Sequence, residues 1–243
     1  MLYAIGLGLD VRAHISNEAI QTLKSCRVVY VLSPDSLSLE LIQALSPTIK
    51  VVDCSPYYNA EDLRPNVYEN IARDIINEAD NYTNIGIAVY GNPMFLVSAV
   101  ERIIEKAESK GIKTKVIPAI SSFDTLLADL KIDLGYGVTL IDASLLVSTK
   151  PNIDARLPLL IFQVANIGSN KVERGEIHSS RLEPLIDYLK TIYPENHECK
   201  IIVSSKGIFD PGYIADLRIS ELSTSDAISL SHRPTIYIPE MDV

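Results

Sequence analysis

The sequence predicts an α/β protein of two lobes, and three observations carry that reading. Short apolar runs, among them 2–7 (LYAIGL), 27–32 (RVVYVL), 85–90 (IGIAVY) and 159–164 (LLIFQV), alternate with longer segments of helical period. Several of these runs are apolar almost without interruption, as strands covered on both faces of a parallel sheet require. The chain has 243 residues, 47% hydrophobic and 22% charged, which is enough for one large or two modest cores and far from a disordered composition. A join around Gly111 sets the boundary, dividing the chain into an N-terminal lobe over 1–112 and a C-terminal lobe over 113–243.

In chain order, 2–7 is a strand and Gly6-Leu7-Gly8 turns out of it. A lone G-x-G without the third glycine of the dinucleotide fingerprint says little about nucleotides. A helix is expected over 17–25, capped by Ser16 and with Glu18 in its first turn. The run 27–32 is the second strand, Pro34-Asp35 punctuates it, 38–45 is a short helix and 49–52 a third strand. A tyrosine-rich stretch, 57–68, leads into a helix over 67–79. Beyond 85–106 come a strand at 114–117 and the sequence Pro118-Ala119-Ile120-Ser121-Ser122, a break and two hydroxyls directly before the helical run 123–130. Either serine caps that helix, and free amides there face a ligand. A strand at 159–164, polar only at Gln163, a helix over 184–193 opened by Pro184, and strands at 200–205 and 235–238 complete the pattern.

The stretch 85–106, IGIAVYGNPMFLVSAVERIIEK, organises the rest. An unbroken apolar strand meets Gly91-Asn92-Pro93, where glycine relaxes the backbone and proline ends the ladder. Main-chain groups are left for a ligand at the strand's carboxyl end, the place where open α/β sheets bind small molecules. The following helix puts Val97, Val100, Ile103 and Ile104 on one face.

Composition narrows the function. A net charge of -9 with no basic stripe argues against nucleic acid. No apolar run reaches membrane-spanning length, and MLYAIGLGLD has neither the basic region nor the cleavage site of an export signal. Cys26, Cys54 and Cys199 lie far apart without a C-x-x-C pairing, which points to buried thiols in a reducing cytoplasm rather than a disulfide frame or zinc site. His14, His178, His197 and His232 show no metal-ligand spacing, so no metal is expected.

The order GLGLD, YGNP, PAISS, FQVANIG and RPTIYIP resembles the tetrapyrrole methylase superfamily of S-adenosylmethionine-dependent methyltransferases, over nearly the whole chain. Within it, YYNAEDLRPNVY at 57–68 is similar to the borosin peptide backbone α-N-methyltransferases, with Tyr58, Arg64, Tyr68 and Tyr90 in the borosin order. The pattern departs at Asn92, where borosins have histidine, at Ala119 in place of a glycine, and at Ser55 in place of a further tyrosine. The resemblance implies two α/β lobes with the cofactor cleft between them. It assigns S-adenosylmethionine to Tyr90, Gly91, Asn92, Phe95, Ser121 and Ser122, with Val164 and Thr235 on the strands that flank the adenosine, and Gln163 either polar for the same reason or a buried amide satisfied by backbone. It also implies a homodimer. Because 235–238 stands close to the last residue, Val243, the expected acceptor is a separate precursor peptide rather than the chain's own tail.

The chemistry gives these residue types a reason to sit together. An amide nitrogen is a poor nucleophile because its lone pair is delocalised into the carbonyl. Its proton has to be removed, and a neighbouring arginine favours the phenolate of a tyrosine, which ordinarily titrates near ~10, so that it can serve as general base. Tyr68 is the candidate base, and Arg64 and Tyr58 are the candidate donors to the developing charge on the carbonyl oxygen. Two alternatives stay open: a tetrapyrrole or other small-molecule C-methyltransferase, and a homologue that binds cofactor without turnover.

Overall fold

The computed structural model describes residues 1–32, 36–60, 62–173, 175–207, 210–223 and 229–241. The chain divides into two compact units, Met1–Asp124 and Thr125–Val243.

The first unit is a parallel sheet wrapped by helices. Its elements are β1 (Leu2–Gly6), α1 (Val11–His14), α2 (Asn17–Ser25), β2 (Val28–Leu32), α3 (Ser36–Leu45), β3 (Lys50–Asp53), α4 (Arg64–Glu78), β4 (Ile85–Val89), α5 (Ser98–Ser109) and β5 (Thr114–Ile117). The strand order is β3-β2-β4-β1-β5, and every pairing in it is parallel. β4 lies in the middle, with Ile87 opposite both Ala4 and Tyr30. All five residues of β4 are buried, as the unbroken apolar run requires. Gly86 has a packing reason, since a Cβ there would stand 3.1 Å from Val29 Cγ2 and 3.2 Å from Cys26 Sγ. Ser16 caps α2 as expected, its hydroxyl accepting from the Ala19 N–H at 3.0 Å. One part of the core packs Ile5, Val29, Val31 and Ala88 of the sheet with Leu23 of α2 and Ile42 of α3.

The helix α6 (Ser122–Leu130) carries the chain onward to β6 (Thr139–Asp142), α7 (Ala143–Thr149), β7 (Leu159–Phe162), α8 (Glu183–Leu189), β8 (Glu198–Val203), β9 (Tyr213–Arg218) and β10 (Thr235–Ile238). These strands form a second sheet in the order β6-β7-β10-β8-β9, in which only β6 and β7 run parallel. Leu159, Ile161, Leu185, Leu189, Ile201, Ile236 and Ile238 share its core.

Two expectations change. The lobe boundary moves from 112 to Asp124, because β5 pairs with β1 through Leu2–Thr114 to Ile5–Ile117 and so completes the first sheet. β6, α7 and β9 had no place in the sequence reading. Both strands sit at sheet edges, and β9 shows alternating exposed and half-buried residues rather than an apolar run. Among the described residues no helix is long and apolar enough to cross a membrane, and all three cysteines are free and buried.

Candidate functional site

The carboxyl ends of β1 and β4 are neighbours, so the loops leaving them run side by side. The Leu7 N–H donates to Val89 O at 2.9 Å and the Gly91 N–H to Gly8 O at 2.9 Å, which joins Gly6-Leu7-Gly8 to Tyr90-Gly91-Asn92. The loop leaving β5 on the other side of β1 closes on the same point. A Cβ on Gly6 would meet Ala119 Cβ at 2.6 Å, Gly91 O at 2.8 Å and Pro93 Cδ at 2.9 Å, so only glycine lets the three loops approach. Gly8 and Gly91 hold φ of +74 and +72, a left-handed backbone that glycine adopts without strain. A Cβ on Gly91 would have a single neighbour within 4 Å, Leu9 Cδ2 at 3.7 Å. This backbone-lined cradle suits a ligand held through main-chain groups, and it gives the G-x-G near the N-terminus a use that its spacing alone did not.

Side chains finish the loops. Asn92 makes the turn, its Oδ1 accepting from the Met94 N–H at 3.0 Å and its carbonyl from the Phe95 N–H at 3.1 Å. The Phe95 ring lies 6.1 Å from Phe123 at the start of α6. Ser121 is 5% exposed, and both its N–H and its hydroxyl donate to one Asp124 carboxylate oxygen, at 2.7 and 2.6 Å. Of the two serines, Ser121 therefore closes the helix end, with Ser122 as the first helical residue. Tyr90, at 48% exposure, is the residue that follows β4. Thus Tyr90, Gly91, Asn92, Phe95, Ser121 and Ser122 all lie on the loops that leave β4 and β5.

The tyrosine segment packs against α4. Ser55–Tyr57 forms a 3-10 turn, after which the Tyr58 ring meets Tyr68 edge-on, with centroids 6.5 Å apart and planes at 64°. Arg64 is the first residue of α4, so Tyr68 lies one turn further along the same face. Arg64, Tyr58 and Tyr68 are all half-buried. A cation at the positive end of a helix opposes the macrodipole, and Leu63 offers no side-chain cap there, so helix stability does not account for Arg64 at this position.

Tyr57 and Asp74 were not singled out from the sequence. The Tyr57 hydroxyl donates to Asp74 Oδ2 at 2.8 Å, pinning the 3-10 turn to α4. Burial, then the Asp74 carboxylate, push the Tyr57 phenol up to about 12, so it stays a donor. Seventeen residues separate the pair, and only the fold brings them together.

In the second unit, Gln163 and Val164 follow the last residue of β7, and Thr235 opens β10, which runs antiparallel to β7 with Ile236 opposite Ile161. The three therefore share one end of that sheet. Val164 and Thr235 are buried, and Gln163 is half-buried with φ of +57, an uncommon value for a residue with a side chain. Its Oε1 accepts from Asn166 Nδ2 at 2.7 Å, and Asn166 Oδ1 accepts from Arg233 Nη1 at 3.2 Å. Asn166 and Arg233 also went unremarked in the sequence, although both stand inside the FQVANIG and RPTIYIP segments.

Comparison with known proteins identifies the family and the fold. The family model of tetrapyrrole (corrin/porphyrin) methylases matches residues 1–203. A methyltransferase/ribosomally synthesized type I borosin cyclic peptide precursor from Serendipita vermifera subsp. bescii is 26% identical over 98% of this chain and 58% of its own length. A second protein of the same description, from Gymnopilus junonius, is 28% identical over 98% of this chain and 56% of its own length. The chain thus spans a little over half the length of these curated relatives. Uroporphyrin-III C-methyltransferase from Thermus thermophilus, in complex with S-adenosylhomocysteine, shares the fold with a TM-score of 0.62 at 16% identity, covering 98% of this chain and 91% of that one. The parallel first sheet, the mixed second sheet and the family match over residues 1–203 lead to one conclusion: the chain belongs to the tetrapyrrole (corrin/porphyrin) methylases.

Proposed function

We propose that this chain is an S-adenosylmethionine-dependent methyltransferase whose acceptor is a backbone amide nitrogen of a precursor peptide, offered as a separate chain. The observation that carries the reading is the Tyr58–Tyr68 ring pair at 6.5 Å with Arg64 one turn ahead of Tyr68 on α4. The borosin relatives, whose names join a methyltransferase to a ribosomal peptide precursor, support a precursor peptide as the acceptor.

The glycine-lined loops after β1 and β4, with Asn92, Phe95, Ser121 and Ser122, would hold the cofactor from the first unit. Gln163, Val164 and Thr235 are carried to the same role by the resemblance. When bound, S-adenosylmethionine supplies a methyl group on a positively charged sulfur. Tyr68, as the phenolate that the neighbouring Arg64 cation favours, takes the proton from the acceptor N–H to become the neutral phenol, leaving an imidate whose carbonyl oxygen bears the charge. The Arg64 guanidinium and the Tyr58 hydroxyl donate to that oxygen, where fixed donors are worth most because they need no rearrangement as the charge grows. The proton on Tyr68 then passes to solvent.

The test is mass spectrometry of candidate precursor peptides incubated with the protein and S-adenosylmethionine. Added mass in steps of one methyl group, located on backbone nitrogen by fragmentation, is the expected result. Unchanged peptides alongside a porphyrinoid that gains methyl groups on carbon would replace this reading with the small-molecule one. Size-exclusion chromatography with light scattering tests the homodimer.

A further inference from the structure

The loop that leaves β1 is tied to the short helix that follows it. The N–H groups of Leu9 and Asp10 both donate to His14 Nδ1, at 3.2 Å each. Two successive backbone donors aimed at one point form a concavity for an acceptor, and here a side chain from the next turn supplies it. The nitrogen that accepts carries no proton, so the imidazole proton stands on Nε2. A Cβ on Gly8 would come within 2.2 Å of His14 Cβ, so the loop lies directly against the residue that holds it.

The local structure delivers His14 to this place. Asp10 caps α1, its Oδ1 accepting from the Arg12 N–H at 2.9 Å, and its carbonyl accepts from the N–H groups of Ala13 and His14, at 3.1 and 2.8 Å. Leu7, Leu9 and Val11 are buried, which anchors the side chains of the segment in the core and leaves its amides to find partners locally. The same loop builds the cradle. The Gly8 N–H donates to Gly91 O at 3.4 Å and the Gly91 N–H to Gly8 O at 2.9 Å, while Leu9 Cδ2 stands 3.7 Å from where a Cβ on Gly91 would be.

We propose that His14 is a positioning residue that clamps the Leu9 and Asp10 amides through Nδ1 and so sets Gly8 beside Gly91 in the geometry that binds the cofactor. The imidazole works as a fixed acceptor, not as an acid, a base or a metal ligand. This rests on the reading above that the loops after β1 and β4 hold S-adenosylmethionine.

Two measurements test it. Long-range proton–nitrogen correlation spectra of the imidazoles, recorded in mildly alkaline buffer and assigned by the signal missing from His14→Asn, should show His14 with a bare Nδ1 and a protonated Nε2. Calorimetry gives the Kd of S-adenosylhomocysteine, with the melting temperature of each variant recorded beside it. His14→Leu, which removes the acceptor, is expected to bind about tenfold more weakly than the parent, as for a lost hydrogen bond. His14→Asn, whose side-chain oxygen is separated from its Cα by as many bonds as Nδ1 of histidine, stays within about threefold of the parent. A proton on Nδ1 of His14, binding by His14→Leu within about twofold of the parent, or a loss in His14→Asn equal to that in His14→Leu overturns the proposal. Absence of binding by the parent protein overturns instead the cofactor reading on which it stands, and the spectra still decide whether Nδ1 is the acceptor.

Discussion

At the carboxyl end of β4 the first unit presents backbone: Gly6 lets three loops approach within a methyl group of one another, and Gly8 and Gly91 turn at positive φ. At the carboxyl end of β7 the second unit presents side chains, with Gln163, Asn166 and Arg233 linked at 2.7 and 3.2 Å. The difference follows from the sheets. A parallel sheet releases adjacent strands on the same side, so β1, β4 and β5 send their loops to one place and the main chain itself can line a cradle. In the second sheet β10 runs against β7, so a loop that enters β10 meets a loop that leaves β7, and side chains have to bridge them. A backbone-built site tolerates almost no added atom, whereas a side-chain relay degrades by degrees.

The largest effect expected is on turnover in the tyrosine segment. Tyr68→Phe should lower peptide methylation by about 10²–10⁴-fold, the range for loss of a general base, and Arg64→Lys by about 10²–10³-fold, the range for a lost donor to developing charge, with S-adenosylhomocysteine affinity retained. Single-turnover kinetics beside calorimetry check both halves, and a methylation rate within a factor of a few of the parent would remove Tyr68 and Arg64 from the chemistry.

Next comes the contrast between the two kinds of loop. Gly6→Ala places a methyl group 2.6 Å from Ala119 Cβ and 2.8 Å from Gly91 O. It should cost about 1–3 kcal/mol of stability and weaken S-adenosylhomocysteine binding about tenfold or more. Gly168→Ala in the second unit, at φ +72 but with nothing within 4 Å of its Cβ among the described residues, should cost about 1 kcal/mol of backbone strain and leave that affinity unchanged. Urea denaturation and calorimetry separate the two, and equal losses of affinity would undo the contrast.

A smaller effect is expected at the turn that carries Tyr58. Tyr57→Phe removes the hydrogen bond to Asp74 and should cost about 1 kcal/mol. Because the folded state holds the Tyr57 phenol at about 12 against an ordinary 10.0, the folded protein keeps a proton that the unfolded chain loses between those values. Its contribution is therefore complete below pH 10.0 and lost as the pH rises through about 12. Denaturation midpoints in the alkaline range should fall less steeply for Tyr57→Phe than for the parent.

The smallest response belongs to the thiols. Burial pushes Cys26 up to about 11 and Cys54 and Cys199 up to about 12, so all three should resist a thiol reagent at pH 8 and react together in denaturant. Rapid labelling of the native protein would show that one of the two cores opens.

Much of the first unit was legible before folding. The expected helix over 17–25 and strand over 114–117 coincide with α2 and β5, and 85–90 contains the buried β4. Buried parallel strands announce themselves as unbroken apolar runs, and Ser16 as a cap announces its helix. The edge strands β6 and β9 did not, because neither holds a fully buried residue and the apolar signal is diluted by polar ones. α4 begins at Arg64, three residues before the expected 67, since Pro65 favours a first turn and the tyrosine pattern obscured that start.

The sequence by itself determined the residue types of the candidate chemistry and their local spacing. Arg64 and Tyr68 are neighbours on any helix that contains both, and Gly91-Asn92-Pro93 ends any strand that precedes it. The tertiary structure alone decided which distant groups meet: Gly8 with Gly91, Gly6 with Ala119, Tyr57 with Asp74, and Arg233 with Asn166. Those meetings depend on strand order and direction, which arise from the burial of whole faces and leave no mark at any single position.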